Sequence, residues 1–318
     1  MNKFDYQTTQ VIIKPTSACN FHCTFCSARN LNIPIHNTVP KCLREYLCDK
    51  KPTDIVITGG EPLINPISYF KDLLRIMDDL EVDYTIGLTS NLMLWYENPE
   101  KWDWLFNNPR IGIDTSFQYG NGRKDNEIYT EERFIDLYNK FYERYNKKLM
   151  FISVINNDNE KYAIKTCELA KKLGTTCKLN CQLPVGGATE YYPRYKLLQI
   201  YLNLIKLGLD KYEMNLVRKK DHHCSFTTSY QFCAHSQVVY VDNNERLVVG
   251  NCEEVMSSEG RFSISKGSLF SECYACPMFS ICNACSMNRQ STLEKGFKEE
   301  HCKWMKEHYI ELKENDLI

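Results

Sequence analysis

Two short stretches decide the fold of this chain: VIIKPTSACNFHCTFC at residues 11–26 and IVITGGEP at residues 55–62. Each begins with an apolar run of the length and composition typical of a buried β-strand. The first run leads into three cysteines with the spacing CxxxCxxC, and the second leads directly into a Gly-Gly-Glu turn. Both stretches therefore place reactive or turn-forming residues immediately after a predicted strand.

Strand and helix signals alternate outward from these two stretches, from residue 10 to about residue 185. Strands are predicted at 10–14, 54–58, 84–89, 110–116, 149–155 and 176–183. Helices are predicted at 39–49, 66–80, 99–107, 130–146 and 159–173, and a further one at 194–207. Six β/α units with short loops predict an α/β fold whose parallel sheet closes partly into a (β/α)6 barrel. Active sites of such folds lie at the carboxyl ends of the strands, where both stretches fall.

The three cysteines have two chemical interpretations. Thiolates of Cys19, Cys23 and Cys26 could hold three irons of a [4Fe–4S] cluster and leave the fourth iron open to react. A zinc site or a chance group of thiols would show the same spacing. The TGGEP segment could by itself be an ordinary tight turn, since glycine adopts positive φ without strain. The combination of both motifs, in this order and each after a strand, favours the cluster.

Together these motifs resemble the radical S-adenosylmethionine (SAM) superfamily. The resemblance implies that Cys19, Cys23 and Cys26 hold the cluster and that the amino and carboxylate groups of SAM chelate the open iron. It assigns further residues to the cofactor site, namely Phe25, Gly59, Gly60 and Glu61, of which the Gly-Gly-Glu turn would bind the SAM amino group. Reduction of SAM would then give a 5′-deoxyadenosyl radical that takes a hydrogen atom from the substrate.

Polar residues at later strand ends extend the expected SAM site. Ser90 and Asn91 follow the third predicted strand and are expected to contact the ribose. Ser116, at the end of the fourth, is expected to contact the ribose or the carboxylate, which Arg123 could also reach. The segment 183–188 resembles a part of the family site beside the adenine. The alternative is that these Ser, Asn and Gly residues only form turns.

Composition narrows the class of protein. The chain has 318 residues with 39 basic and 40 acidic side chains, so bulk charge does not favour nucleic acid or an anionic membrane as a partner. It contains no apolar stretch long enough to span a membrane, and its polar start does not resemble a signal peptide. The expected location is therefore the cytoplasm, where its 16 cysteines stay reduced. Metal binding explains so many thiols, and the five scattered ones are predicted to be small buried residues: Cys42, Cys48, Cys167, Cys177 and Cys181.

The remaining eight cysteines lie between residues 224 and 302 and could form two Cys₄ sites for zinc or iron–sulfur. Their order resembles the SPASM extension of radical SAM enzymes, which carries two auxiliary [4Fe–4S] clusters. The resemblance assigns the first cluster to Cys224, Cys233, Cys252 and Cys285, and the second to Cys273, Cys276, Cys282 and Cys302. Two spacings depart from the usual pattern: two residues instead of three separate Cys282 from Cys285, and Cys233 and Cys252 are unusually far apart.

Two further expectations concern this C-terminal region. A β-hairpin is predicted from strands 238–241 and 247–250, on either side of the turn at 242–244. Glu253, directly after Cys252, could be a general base near the substrate, as in the sulfatase-maturing branch of this family, or a surface acid. The predicted organisation is a barrel at 1–190, a helical connection at 191–220 and an auxiliary cluster domain at 221–318.

The expected activity is that of a radical SAM oxidoreductase. The resemblance favours a peptide or protein side chain as the substrate, with a cross-link, thioether or other oxidative change as the product. Only eighteen residues precede Cys19, so we expect recognition by the barrel or by a separate partner rather than by a fused leader-binding domain. The alternatives are a dehydrogenase of a small molecule, such as a sugar or antibiotic precursor, and a non-catalytic metal-binding module. The resemblance also implies a reducing partner of the flavodoxin or ferredoxin type.

Overall fold

The computed structural model describes residues 9–182, 185–188, 190–218, 236–250, 273, 275–278, 282 and 296–318. Some of the expected site residues lie outside these residues: Cys224, Cys233, Cys252, Glu253 and Cys285. Two residues of the segment 183–188, Leu183 and Pro184, also lie outside them.

A parallel sheet forms the centre of the fold. Its first six strands are β1 (Gln10–Ile13), β2 (Asp54–Ile57), β3 (Thr85–Thr89), β4 (Ile111–Ser116), β5 (Met150–Ile155) and β6 (Cys177–Cys181). Each strand pairs in parallel with the next one along the chain. All six strands confirm the sequence prediction to within one or two residues, because each carries the buried apolar run that defined it. The carboxyl ends of the strands therefore share one edge of the sheet.

Helices connect these six strands, and further helices follow β6 and the last described strand. They are α1 (Lys41–Lys50), α2 (Ile67–Asp79), α3 (Met93–Glu97), α4 (Asp103–Phe106), α5 (Glu131–Tyr145), α6 (Ala163–Leu173), α7 (Arg194–Lys206), α8 (Met214–Val217), α9 (Lys298–Glu307) and α10 (Tyr309–Glu314). The helix predicted at 99–107 is a 3₁₀ turn, Pro99–Trp102, followed by α4. The short helix α3 was not predicted, because it begins after Leu92 in the left-handed region at φ 61°, which the sequence pattern does not reveal.

The two faces of the strands differ in burial. In β4, Ile111, Ile113 and Thr115 are buried, whereas the residues between them are half-buried or exposed. The same alternation recurs in β1, β2, β3 and β5. The buried side chains join those of the helices in one large apolar core. The alternate residues lie on the opposite face of the sheet, which is the inner face of the partial barrel and is less deeply buried.

The predicted hairpin is confirmed, and it belongs to the main sheet. Strands β7 (Ser236–Val241) and β8 (Leu247–Gly250) pair antiparallel, with Val238 opposite Gly250. Strand β7 also pairs in parallel with β1, so the strand order is β6-β5-β4-β3-β2-β1-β7-β8. A hairpin that the sequence assigns to the C-terminal region thus extends the barrel beside the strand that leads to Cys19.

The scattered cysteines follow the prediction in part. Cys167, Cys177 and Cys181 are buried in the core as expected. The prediction is wrong for Cys48, which is exposed, and Cys42 is only half-buried. Leu43 and Leu47 form the buried side of α1, and neither cysteine lies on it. In the described part of the chain, no helix combines the length and the apolar character that crossing a membrane requires.

Candidate active site

The cysteine triplet lies on the long loop that follows β1. Cys23 is buried, and Cys19 and Cys26 are half-buried. Burial raises the pKa of Cys19 to about 11, and Glu61, Cys23 and Cys26 add to this rise through their negative charge. Burial likewise raises the pKa of Cys23, and Cys26 contributes. The three thiols are therefore near enough to repel one another once ionised.

Backbone hydrogen bonds from two other strand-end loops hold this cysteine loop. The amide of His22 donates to the carbonyl of Lys124 at 2.7 Å, and that of Thr24 donates to Gly122 at 2.9 Å. From the loop after β6, the amide of Gly187 donates to the carbonyl of Cys26 at 2.7 Å. The triplet is thus fixed between the loops that follow β4 and β6.

The Gly-Gly-Glu turn after β2 packs against the same loop from a third side. The amide of Gly60 donates to Thr16 at 2.9 Å, and that of Glu61 donates to Ala18 at 2.7 Å. Gly59 has φ 146°, which L-residues rarely adopt. A Cβ on Gly60 would lie 2.7 Å from the carbonyl oxygen of Ser17 and still closer to that of Ala18. Both glycines are needed because two backbones approach here without space for a side chain.

The side chain of Glu61 joins the turn to the end of β3. Its Oε1 accepts hydrogen bonds from the amide of Leu63 at 3.0 Å and from the hydroxyl of Ser90 at 2.7 Å. Its Oε2 accepts one from the amide of Asn91 at 2.7 Å. Burial raises the pKa of Glu61, while these donors and nearby Arg123 oppose that rise. A buried carboxylate with three donors is well satisfied and rigidifies the turn.

Asn91 extends the connection to the cysteine loop. Its Nδ2 donates to Asn20 Oδ1 at 2.7 Å and lies 3.9 Å from the Sγ of Cys19. Its Oδ1 accepts the amide of Met93 at 3.0 Å at the start of α3. The structure therefore brings together the predicted residues of three strand ends: Cys19, Glu61, Ser90 and Asn91.

Arg123 is buried next to this group. Its guanidinium stacks over Phe21 at 4.9 Å and over Tyr129 at 5.6 Å from the ring centres. Its positive charge lowers the pKa of Cys23 against the effect of burial. The buried Nε has no hydrogen-bond partner among the described residues. A buried cation with an unused donor is suited to an anionic group of a ligand.

Ser116 and a residue that sequence reasoning missed, Asp114, share the inner side of β4. Register places Ser116 beside Ile152 of β5, and Ile152 beside Lys178 of β6. Burial raises the pKa of Asp114 to about 6, although the charges of Lys178 and Arg218 lower it. The sequence signal that could have identified Asp114 is an acidic residue inside a predicted buried strand. A partly buried carboxylate in a barrel interior is a candidate for substrate contact.

The triplet fits an iron–sulfur cluster by its chemistry. Three thiols with no carboxylate or imidazole among them form a soft donor set, which Fe–S clusters require. Two glycines flank Thr24. A Cβ added to Gly187 would lie 2.8 Å from the carbonyl oxygen of Thr24, and one added to Gly122 would lie 2.9 Å from its side-chain hydroxyl. Among the described residues, no three His, Cys, Asp or Glu side chains are positioned to hold a single metal ion. Thiolates on different irons of one cluster do not share one point, so this geometry is compatible with a cluster.

The four described C-terminal cysteines form a second group. Cys273 and Cys276 are joined by a turn in which the amide of Cys276 donates to the carbonyl of Cys273 at 3.1 Å. Burial raises the pKa of Cys282 to about 12, and Cys302, Cys276 and Cys273 contribute. Cys302, on α9, is likewise affected by Cys273 and Cys276. The structure thus brings together the four cysteines that the resemblance assigns to one auxiliary cluster.

Comparisons with solved structures support the fold. A structure of native anSMEcpe with bound AdoMet and the Cp18Cys peptide matches with a TM-score of 0.65 at 15% identity, covering 96% of this chain and 98% of that one. A crystal structure of Streptococcus suis SuiB bound to the precursor peptide SuiA matches with a TM-score of 0.56 at 15% identity, covering 92% and 74%. At this identity the likeness establishes the fold alone. A search of curated proteins found no match.

The family model of the Radical SAM superfamily matches residues 13–170. This range contains the cysteine triplet, the Gly-Gly-Glu turn and the ends of β3 and β4. Residues 13–170 therefore form a Radical SAM superfamily domain, and that family implies an enzyme with a [4Fe–4S] cluster and SAM.

Proposed function

We propose that this protein is a radical SAM oxidoreductase of the SPASM type that oxidises a peptide or protein side chain. The observation that carries the proposal is the presence of two separate groups of thiols in one chain. One group, Cys19, Cys23 and Cys26, lies at the strand ends of the Radical SAM domain. The other, at Cys273, Cys276, Cys282 and Cys302, is a complete set of four thiols, which suits electron transfer.

When bound, the cluster and SAM supply a 5′-deoxyadenosyl radical that removes a hydrogen atom from the substrate. In this proposal the cysteine triplet holds three irons, and the loops after β2, β4 and β6 fix its backbone. Glu61 keeps the turn and the end of β3 in one position through its three hydrogen bonds. A site held by backbone bonds changes little when the cofactor enters, which favours an accurate position for the radical.

The proposed SAM contacts surround the triplet. In this proposal Gly59, Gly60 and Glu61 would receive the amino group, and Ser90, Asn91 and Ser116 would contact the ribose and carboxylate. Phe25 is buried beside Gly122, where an added Cβ would lie only 3.3 Å from the Phe25 ring. Phe25 would form part of the wall of the SAM site. Arg123 is the proposed partner of the SAM carboxylate, because its buried cation has an unused Nε donor.

Two auxiliary [4Fe–4S] clusters complete the proposed enzyme. Cys224, Cys233, Cys252 and Cys285 would hold one, and the group of Cys273, Cys276, Cys282 and Cys302 the other. Glu253 is proposed as a general base that removes a proton as the substrate is oxidised. These assignments rest on the cysteine order and, for the second cluster, on the mutual influence of its four thiols.

Support for a peptide substrate comes from the matched structures, since that of anSMEcpe contains the Cp18Cys peptide and that of SuiB contains the precursor peptide SuiA. Asp114, with Lys178 and Arg218 near it, gives the inner side of the barrel a mixed charge that suits a zwitterionic or polar chain. We also propose a flavodoxin or ferredoxin as the reducing partner and the cytoplasm as the location.

The test begins with anaerobic measurement of iron and sulfide per chain, followed by 5′-deoxyadenosine formation with SAM and dithionite. About twelve irons per chain with SAM cleavage is the expected result, since eleven thiolates and one open iron account for three clusters. About four irons per chain together with SAM cleavage would contradict the proposed auxiliary clusters and the oxidative step that depends on them. Zinc in place of iron, without SAM cleavage, would overturn the enzyme proposal. The Cys48→Ser variant is the matched control, because its thiol is exposed and belongs to neither group.

A further inference from the structure

A buried histidine contacts one thiol of the C-terminal group. The Nε2 of His301 lies 3.2 Å from the Sγ of Cys282. The exposed fraction is only 1% for His301 and 9% for Cys282, so water does not compete for this contact. His301 directly precedes Cys302 on α9, which places a hydrogen-bonding ring and a thiol of the same group next to each other in sequence.

Packing fixes the orientation of the imidazole. The ring of Tyr195, on α7, meets that of His301 edge-on, with centres 6.0 Å apart and planes at 63°. The hydroxyl of Tyr195 in turn donates to Glu300 at 2.9 Å, a bond between α7 and α9 that keeps the Tyr195 ring against that of His301. A buried ring with a fixed orientation can direct one nitrogen at one sulfur, as outer partners of metal ligands commonly do.

The chemistry of the sulfur decides the direction of this hydrogen bond. A metal-bound thiolate has no proton to give, so the hydrogen must come from Nε2. The other nitrogen, Nδ1, is buried and has no hydrogen-bond partner among the described residues. The tautomer that carries its proton on Nε2 therefore makes the one hydrogen bond that the described residues offer to the ring.

We propose that His301 is a positioning residue that donates an N–H···S hydrogen bond to Cys282 and thereby raises the reduction potential of the cluster held by Cys273, Cys276, Cys282 and Cys302. Hydrogen bonds to cluster sulfurs stabilise the more negative, reduced state. Arg194, a buried cation that acts electrostatically on Cys282, works in the same direction. This inference rests on the auxiliary cluster of the proposed function, and it gives that cluster a stronger tendency to accept an electron.

The test uses the full-length chain with Cys19→Ala, Cys23→Ala and Cys26→Ala, so that only C-terminal clusters contribute to the signal. Redox titration followed by electron paramagnetic resonance compares this background with added His301→Phe and His301→Gln. His308→Gln is the matched control, since His308 lies at the end of α9 and contacts the carbonyl of Trp304 instead of a thiol. In the Phe variant, the midpoint potential of one cluster should shift by about 59 mV to more negative values. At a fixed potential, this shift raises the ratio of oxidised to reduced cluster about tenfold.

Gln retains an N–H donor, so it should restore part of the shift, and the control should match the background. An unchanged potential in the Phe variant with intact clusters would overturn the inference alone. Equal shifts in Phe and Gln would also overturn it, because they indicate altered packing rather than a lost donor. If removing His301 causes the loss of about four irons per chain and removing Cys302 does not, His301 is a cluster ligand and not a hydrogen-bond donor to Cys282. A background chain without any iron would overturn the auxiliary clusters of the proposed function as well.

A measurement without substitutions at His301 covers the case in which those variants do not fold. Histidine labelled with ¹⁵N in the same background should show nuclear coupling to a reduced cluster in pulsed electron paramagnetic resonance. The coupling should persist in His308→Gln. Its absence from a chain that contains reduced clusters would overturn the hydrogen bond.

Discussion

The two groups of thiols are built in different ways. The triplet Cys19, Cys23 and Cys26 is held by the backbone of three strand-end loops, with glycines where those backbones meet. The C-terminal group is adjoined by side chains from α7 and α9: His301 contacts Cys282, Arg194 acts on Cys282 electrostatically, and Tyr195 packs against His301. Backbone contacts fix position and tolerate no added atoms, whereas side chains can tune a sulfur one hydrogen bond at a time. We therefore expect the first site to fail abruptly on substitution and the second to change gradually.

The largest effect is expected from removing the triplet. The combined change Cys19→Ala, Cys23→Ala and Cys26→Ala should abolish 5′-deoxyadenosine formation and remove about four irons per chain, because in the proposed function these three thiolates hold that cluster. Anaerobic iron analysis and chromatography of the nucleoside measure both results. Continued SAM cleavage by this variant would show that the reactive cluster lies elsewhere.

Removing one thiol of the C-terminal group should separate the two sites. Cys276→Ala is expected to lose about four irons and the oxidised product, yet to keep SAM cleavage within about threefold, since the open iron belongs to the other group. Iron analysis and 5′-deoxyadenosine formation check this without a known substrate. If SAM cleavage disappears together with the iron, the two groups do not act independently.

The glycine contacts of the first site can be tested by adding a single methyl group. Gly60→Ala places a Cβ against the backbone of Ser17 and Ala18 and should cost roughly 1–3 kcal/mol of the free energy of unfolding, with loss of SAM binding. Gly112→Ala is the matched control, because its Cβ would lie an ordinary 3.9 Å from Ile86. Denaturant unfolding and SAM titration measure both. Equal stability of the two variants would contradict the close approach of the loops.

Asp114 belongs to neither thiol group. Its place on the inner side of β4 suits contact with substrate rather than with either cluster. Its pKa of about 6 exceeds the ordinary value of 3.8, so the folded state prefers the neutral acid. Stability from this preference is complete below pH 3.8 and is lost as the pH rises through 6. Asp114→Asn should therefore increase the free energy of unfolding at pH 7.5 by roughly 2–3 kcal/mol.

The same variant should slow substrate oxidation and leave SAM cleavage intact. Unfolding curves at pH 4 and pH 7.5 give the test of stability, since the difference between variant and parent should grow between these two values. A pH-independent difference would show that the charge of Asp114 is not its cause.

The smallest effect is expected at a cysteine that belongs to neither group. Cys48→Ser should change the free energy of unfolding by no more than about 0.5 kcal/mol and leave the iron content unchanged, because the side chain is exposed. Cys177→Ser, in contrast, puts a hydroxyl into the core and should cost about 1–3 kcal/mol. Thermal unfolding of both proteins measures the contrast. A loss of iron in either variant would show that the substituted cysteine is a further cluster ligand.

Local pattern was sufficient for much of the fold. The six strands were predictable because each is a short apolar or alternating segment, and the hairpin because Asp242-Asn243-Asn244 separates two apolar runs. Short elements were harder to predict. The helix α3 depends on the left-handed backbone of Leu92, and the 3₁₀ turn before α4 on the cap provided by Asn98. Neither has a periodic signature in the sequence.

The site divides in the same way. The sequence by itself determined the two motifs, because the thiols of CxxxCxxC and the Gly-Gly-Glu turn of TGGEP each lie within a few consecutive positions. The expected cluster and SAM contacts follow from the resemblance of these motifs to the radical SAM family. Only the tertiary structure decided that Glu61 binds Ser90 and the amide of Asn91, that β7 lies beside β1, and that His301 reaches Cys282. Those contacts join residues far apart in the chain. Packing selects them, and local sequence pattern carries no record of which distant surfaces will meet.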